Sequence, residues 1–170
     1  MRARRITLPA CLATLSLSLL YTASLAPSGR FCLIIAAGLV PAAAVVSAGL
    51  PTGFLCYGVT GVLGLLVLPR KEIPILYLLF FGLYPMVKSL IEGIGKLWME
   101  WLFKLLFLNL VLILLLSSLK GLLMPFLSPI LAERLWLAAL MGNLFFPLYD
   151  VLFSRCITYY VIHVDRHLLQ

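Results

Sequence analysis

A few ionisable side chains interrupt otherwise apolar sequence, and the setting of Asp150 most strongly suggests a chemical role. It stands in the run Phe145-Phe-Pro-Leu-Tyr-Asp150-Val-Leu-Phe. A carboxylate held among apolar residues can bind a cation, relay a proton or form a buried ion pair. Lys88, which ends the segment Tyr84-Pro-Met-Val-Lys88, is the cation that we expect to pair with it.

A proline lies close to each of these two charges. Pro85 cannot donate a backbone hydrogen bond, so it frees the carbonyl of Phe81 and bends a helix there. Pro147 frees the carbonyl of Asn143 in the same way. Two bends beside two charges predict a polar pocket around Lys88 and Asp150 with these lining groups: Asn143, Asn109, Tyr84 and Tyr149. A structural ion pair that fixes how the helices align has equal support.

Signatures of catalytic and cofactor sites do not occur in this sequence, which has no P-loop, no His-Glu-x-x-His and no Gly-x-Ser-x-Gly. Tyr149-Asp150 resembles the Tyr-Asp motif of intramembrane aspartyl proteases. That chemistry needs two carboxylates that share a proton, and the only other aspartate is Asp165. His163 and His167 have the spacing of metal ligands but lack further ligands. We therefore predict no enzyme activity, no metal site and no cofactor.

Charged residues recur at every fourth position with alternating sign in one stretch: Lys88, Glu92, Lys96, Glu100 and Lys104. On one continuous helix they would form a ladder of i,i+4 pairs, each worth about 0.2–0.5 kcal/mol. Gly93 and Gly95 weaken a helix in the middle of the series. We therefore prefer a charged turn between two helices over a continuous helix that lies in the membrane interface.

Composition places these residues in a membrane, because 64% of the 170 residues are hydrophobic and only 11% are charged. A soluble domain needs about a quarter of its residues charged. Since about 20 apolar residues cross a hydrocarbon core of about 30 Å, we predict an all-α, polytopic transmembrane helical bundle of about six spans in a single domain. The predicted spans are these: Ile6–Ala26, Phe31–Gly49, Gly53–Leu68, Ile73–Leu90, Leu97–Leu119 and Leu135–Val161. The surroundings are a lipid bilayer, and dispersed basic residues argue against nucleic acid as a partner.

The distribution of basic residues favours a plasma-membrane protein with both termini in the cytoplasm. In this orientation the aromatic residues of the inner membrane surface are Trp98, Trp101, Tyr159 and Tyr160. The proline-punctuated stretch between Lys120 and Arg134 is predicted to lie in the interface. A signal peptide that ends at Ala26 is the alternative for the first span and would leave five spans.

Small residues follow one side of the first predicted span: Ala10, Thr14, Ser18 and Thr22. This small-residue stripe forms a shallow groove that another helix can approach closely. Packing inside the bundle is the preferred interpretation, and docking of another protein is the alternative. Small residues in the next two spans predict that the first three helices pack tightly. The isolated cysteines are predicted to be reduced packing residues: Cys11, Cys32, Cys56 and Cys156.

The six-span plan, the basic N-terminus, the Ala10/Thr14/Ser18 stripe and the proline-rich outer segment resemble the S components of energy-coupling-factor transporters. In that family an Ala-x-x-x-Ala stripe on the first helix docks the transmembrane coupling subunit. Here the stripe is a degenerate match. The resemblance implies a membrane subunit that binds a small molecule and works with a coupling subunit and ATPases.

Two further resemblances imply other functions. The segments Tyr84-Pro-Met-Val-Lys88 and Leu148-Tyr-Asp150 are similar to those of uncharacterised six-span membrane proteins of Gram-positive bacteria, which implies no activity. In size and span count the chain also resembles the cell-shape protein MreD, which implies a non-transporting membrane scaffold. Few polar groups lie near the outer ends of the spans, and this scarcity weakens the prediction of a substrate site.

Overall fold

The structure of the chain is a computed structural model that describes residues 4–118 and 135–162. Every regular element in these ranges is helical, so the all-α prediction is confirmed for them. The elements are α1 (Arg4–Leu25), α2 (Arg30–Ala48), α3 (Leu50–Val67), α4 (Glu72–Leu76), a π-helical segment (Tyr77–Phe81), α5 (Tyr84–Glu92), α6 (Leu97–Ser118) and α7 (Leu135–Tyr160). The predicted interfacial stretch between Lys120 and Arg134, and the tail with His163, Asp165 and His167, lie outside the described residues.

The helices end close to where turn residues predict, with one exception. The sequence predicts a break at Pro51-Thr52-Gly53, but α2 and α3 are separated by Gly49 alone. Gly49 has a φ of 86°, a conformation that favours glycine. Pro51 lies in the first turn of α3, where a missing backbone N–H costs no helical hydrogen bond.

Five segments of the described chain are long and apolar enough to cross a membrane: Thr7–Leu25, Arg30–Ala48, Leu50–Val67, Glu72–Glu92 and Leu97–Leu115. They fit a multi-pass membrane protein. The sixth predicted span forms α7, a helix of 26 residues that is not among these five. A sixth crossing therefore stays a prediction.

Bulky apolar side chains face outward in this molecule, whereas several charged ones are buried. On α6, Leu106 is 59% exposed and Ile113 is 66% exposed, whereas Lys104 is 4% exposed. Large exposed apolar surfaces are rare on soluble proteins. This distribution of side chains is therefore unfavourable in water. A lipid environment accounts for it.

Two compact units make up the structure. The first comprises the chain up to Ser89 together with the residues from Arg155 onward, and the second comprises Leu90–Ser154. In the first unit, α1, α2 and α3 pack against one another, as predicted. Their core includes Ala13, Val40, Ala44 and Cys56. Cys56 is thus a packing residue, but the other three cysteines are exposed.

The small-residue stripe of α1 faces outward. Ala10, Thr14, Ser18 and Thr22 are all exposed. The buried side of α1 instead carries Ala13, Ser16, Leu20 and Ala23. The spacing of these four residues keeps them on one face of the helix. From this face the Ser16 hydroxyl donates a hydrogen bond to the Ala37 carbonyl of α2, 3.0 Å away. Packing inside the described bundle therefore uses this other face and not the stripe.

Candidate functional site: a buried charge cluster and an interrupted helix

The second unit contains a buried charge cluster centred on Lys104. Its Nζ donates to Glu92 Oε1 at 2.8 Å and to Asp150 Oδ2 at 3.0 Å. The side chains of Lys104 and Asp150 are 5% and 6% exposed, whereas Glu92 is 43% exposed. The ammonium group thus joins the end of α5, the first half of α6 and the middle of α7. Its Nζ also lies 5.9 Å from the centre of the Trp101 ring.

Two complementary helix faces hold this cluster in place. On α6 the buried positions are Lys104, Leu108, Val111 and Leu115. On α7 they include Phe146, Asp150 and Phe153. Steps of three and four residues keep such positions on one side of a helix. Each polar member is therefore carried inward by the apolar residues that share its face.

The same two helices meet through a second polar contact, between Asn109 and Asn143. Each Nδ2 donates to the Oδ1 of the other residue at 3.0 Å. Each Nδ2 also donates to the carbonyl four residues earlier on its own helix, that of Leu105 or Ala139. An amide nitrogen carries two protons, so both donors of each side chain are used. This arrangement joins helices and leaves no amide proton for a bound molecule.

Removing one amide of this pair should destabilise the protein modestly. We expect Asn109→Leu to lower the free energy of unfolding by about 0.6–1.7 kcal/mol, because hydrogen bonds between membrane helices contribute about 0.6 kcal/mol on average and about 1.7 kcal/mol at most. The free energy of unfolding is measured by SDS titration in mixed micelles. The double variant Asn109→Leu/Asn143→Leu should be more stable than the single one, because no amide is then left without its partner. A double variant with the summed loss of both single variants would contradict a direct pairing.

The predicted ladder of charges does not form one helix. α5 ends at Glu92, Gly95 has a φ of 71°, and α6 begins at Leu97. The preference for a turn is therefore confirmed. Glu92 contacts Lys104 across that turn, at a separation of twelve residues instead of four.

Lys104 is the site residue that the sequence analysis missed, because it was assigned to a charged turn. One signal was available. Lys104 comes three residues after Trp101, and no charged residue follows it before Lys120. About 10 Å separate the start of α6 from Lys104, at 1.5 Å per residue. A lysine at that depth needs a partner on another helix.

The remaining predicted pocket residues fall in both units. Tyr149 lies on α7 in the second unit, between the rings of Phe146 and Phe153. Lys88 and Tyr84 lie in the first unit, where both are buried and the Lys88 Nζ is 6.0 Å from the centre of the Tyr84 ring. Because Lys88 and Asp150 belong to different units, their pairing stays a prediction.

The interruption of the fourth span is the other unusual feature. Gly82 N–H donates to Tyr77 O at 2.7 Å, a π-helical bond over five residues. The chain then turns, and α5 starts with Tyr84 and Pro85. Pro85 has no N–H to offer Phe81 and lies in the first turn of a new helix, so the chain is interrupted where the sequence predicts a bend. In contrast, α7 continues through Pro147.

Side chains of the first unit surround this π-helical segment closely. The Tyr57 hydroxyl donates to the Leu78 carbonyl at 2.8 Å. A Cβ added at Gly38 of α2 would lie 2.6 Å from the Phe81 carbonyl oxygen. Irregular backbone at membrane depth is tolerated where protein covers it. Because Gly38 has no side chain, α2 can lie close to the Phe81 carbonyl.

Comparison with protein-family models, curated proteins and solved structures returned no match. The contacts above are therefore the basis for the function. They describe helices of a multi-pass membrane protein, joined at their polar residues by an ion pair and a reciprocal amide pair.

Proposed function

We propose that this chain is a non-transporting membrane scaffold, a subunit that associates with another membrane protein through the small-residue stripe of α1. The observation that carries this proposal is the exposure of Ala10, Thr14, Ser18 and Thr22 on a helix that uses its other face for internal packing. In lipid, apolar contact alone provides little driving force for helices to associate. Close approach along small residues is the main alternative source of affinity.

The hydroxyl groups of the stripe suit such a contact. Thr14, Ser18 and Thr22 each donate to the carbonyl three residues earlier, at 2.7–2.8 Å. Their protons are therefore satisfied within α1. A partner helix can therefore cover this surface without burying a hydroxyl donor that lacks an acceptor. Burial of such a donor would oppose association.

The polar groups of the second unit also support a scaffold. Lys104 is engaged by two carboxylates, and Asn109 and Asn143 engage each other. Here the contacts serve to join α5, α6 and α7.

A second candidate is the substrate-binding subunit of a small-molecule uptake system, similar to an S component. The interrupted fourth span favours it, because broken helices form the substrate sites of many transporters. This candidate would have six spans in the plasma membrane, both termini in the cytoplasm, and a coupling subunit with ATPases as partners. Lys88 and Asp150 would lie at its substrate site.

A bulky residue on the stripe should weaken the association with the partner. We expect Ser18→Phe to reduce the recovery of co-purified membrane proteins about tenfold. The phenylalanine prevents close approach of the partner helix, and a loss of about 1.4 kcal/mol in the free energy of association changes the equilibrium constant tenfold. The measurement is affinity purification in mild detergent with quantitative mass spectrometry. Val59→Phe is the matched control, since Val59 is 44% exposed on α3 and is not part of the stripe.

The identity of the co-purified proteins separates the two candidates. Envelope-synthesis proteins without a retained small molecule support the scaffold. Coupling-factor subunits with a retained small molecule support uptake and overturn the scaffold. If Ser18→Phe and Val59→Phe recover the same proteins in equal amounts, the stripe does not dock a partner.

A further inference from the structure

A groove of about 290 Å³ lies between α2 and the last turns of α7, within the first unit. Leu39, Ala43 and Val46 of α2 form one wall. Cys156 and Ile157, together with the two tyrosines that follow, form the other wall. The apolar lining excludes polar solutes as occupants.

One end of the groove lies at the end of α2 and beside the last α-helical turn of α7. The hydroxyls of Ser47 and Tyr160 are 3.1 Å apart and share a hydrogen bond. Ser47 is the second-last residue of α2, and Tyr160 is the last α-helical residue of α7, followed by the π-helical residues Val161 and Ile162. Helix ends and tyrosine side chains mark the membrane surface. The groove therefore extends from one surface of the membrane toward its interior.

We propose that the groove binds one acyl chain of an anionic phospholipid. From Leu39 to Val46 it follows α2 for about 10 Å, which is about two thirds of one 15 Å leaflet. Arg155 is exposed one helical turn before Tyr159. A long arginine side chain can extend from this depth toward the headgroups, and its guanidinium matches a phosphate in charge and geometry.

Native mass spectrometry of the full chain tests this site. The protein is released from bilayers that contain equal amounts of phosphatidylglycerol and phosphatidylcholine with identical acyl chains. We expect wild type to retain phosphatidylglycerol preferentially. Ala43→Phe fills the groove and should reduce the retained lipid about tenfold, equivalent to losing the burial of about two methylene groups. Arg155→Gln should reduce the preference for phosphatidylglycerol about fivefold.

Val62→Phe is the matched control, because Val62 is 57% exposed on α3 and is not part of the groove. Equal lipid retention by Ala43→Phe and Val62→Phe overturns the proposal. So does a wild type that retains both lipids equally, or that retains a second copy of the chain in place of lipid.

Alkylation of the folded protein tests the same site without a risk to folding. Cys156 is exposed and lines the groove. In a Cys11→Ser/Cys32→Ser background, the other exposed thiols are absent. A bulky maleimide on Cys156 should then displace phosphatidylglycerol to the same extent as Ala43→Phe. Undiminished retention after complete labelling overturns the proposal.

Discussion

Replacing Lys104 with methionine is expected to lower the free energy of unfolding by about 3–5 kcal/mol, the cost of removing one partner from a buried ion pair. Methionine has a similar length but no charge. It leaves the Asp150 carboxylate, 6% exposed, without the ammonium group that lies 3.0 Å away. SDS titration in mixed micelles measures the loss.

Two variants control this result. Lys96→Met removes a lysine that is exposed and should change stability by less than about 1 kcal/mol. Lys104→Met/Asp150→Leu removes both charges and should be more stable than Lys104→Met, since an apolar pair avoids the desolvation of an isolated charge. If the double variant is the less stable of the two, the stabilising role assigned to this pair is wrong.

The second large effect concerns Gly38. We expect Gly38→Ala to destabilise the protein by about 1–3 kcal/mol, as overpacking of a close contact does. The added Cβ would lie 2.6 Å from the Phe81 carbonyl oxygen and 3.0 Å from its carbon. Both are backbone atoms and cannot rotate away. Either α2 must shift from the interrupted span, or the π-helical segment must rearrange.

Gly58→Ala provides the matched comparison. Gly58 lies inside α3, and a Cβ there would meet nothing within 4 Å. Alanine is a better helix former than glycine by about 0.5–1 kcal/mol. This variant should therefore be neutral or slightly stabilised in the same unfolding assay. Similar behaviour of the two alanine variants would contradict the close contact between α2 and Phe81.

The lipid environment explains why substitutions at both sites are expected to be destabilising. In lipid, polar groups and freed carbonyls cannot rely on water, so each must be covered or paired within the protein. Lys104 is a cation that pairs with Asp150, and Gly38 allows α2 to lie close to the Phe81 carbonyl.

The positions of the helices follow from the sequence alone. Long uncharged runs, broken by proline and glycine, locate α1, α2, α3 and α6 to within a few residues, because helix ends depend on neighbouring residues. Pro85 predicts a bend in the fourth span. The π-helical segment and the turn before Pro85 were not predicted, and α7 continues through Pro147, which lacks the same N–H. The shift of the second turn to Gly49 was not predicted, because proline is compatible with both a turn and a first helical turn.

The contacts between helices were decided by the tertiary structure. The sequence shows that Asp150 needs a cation, but it does not show that Lys104 is the one that reaches it in the second unit. It also shows a small-residue stripe on α1 without indicating that this stripe is exposed. Periodicity fixes which residues share a face of one helix, whereas the rotation of that helix depends on all of its neighbours at once.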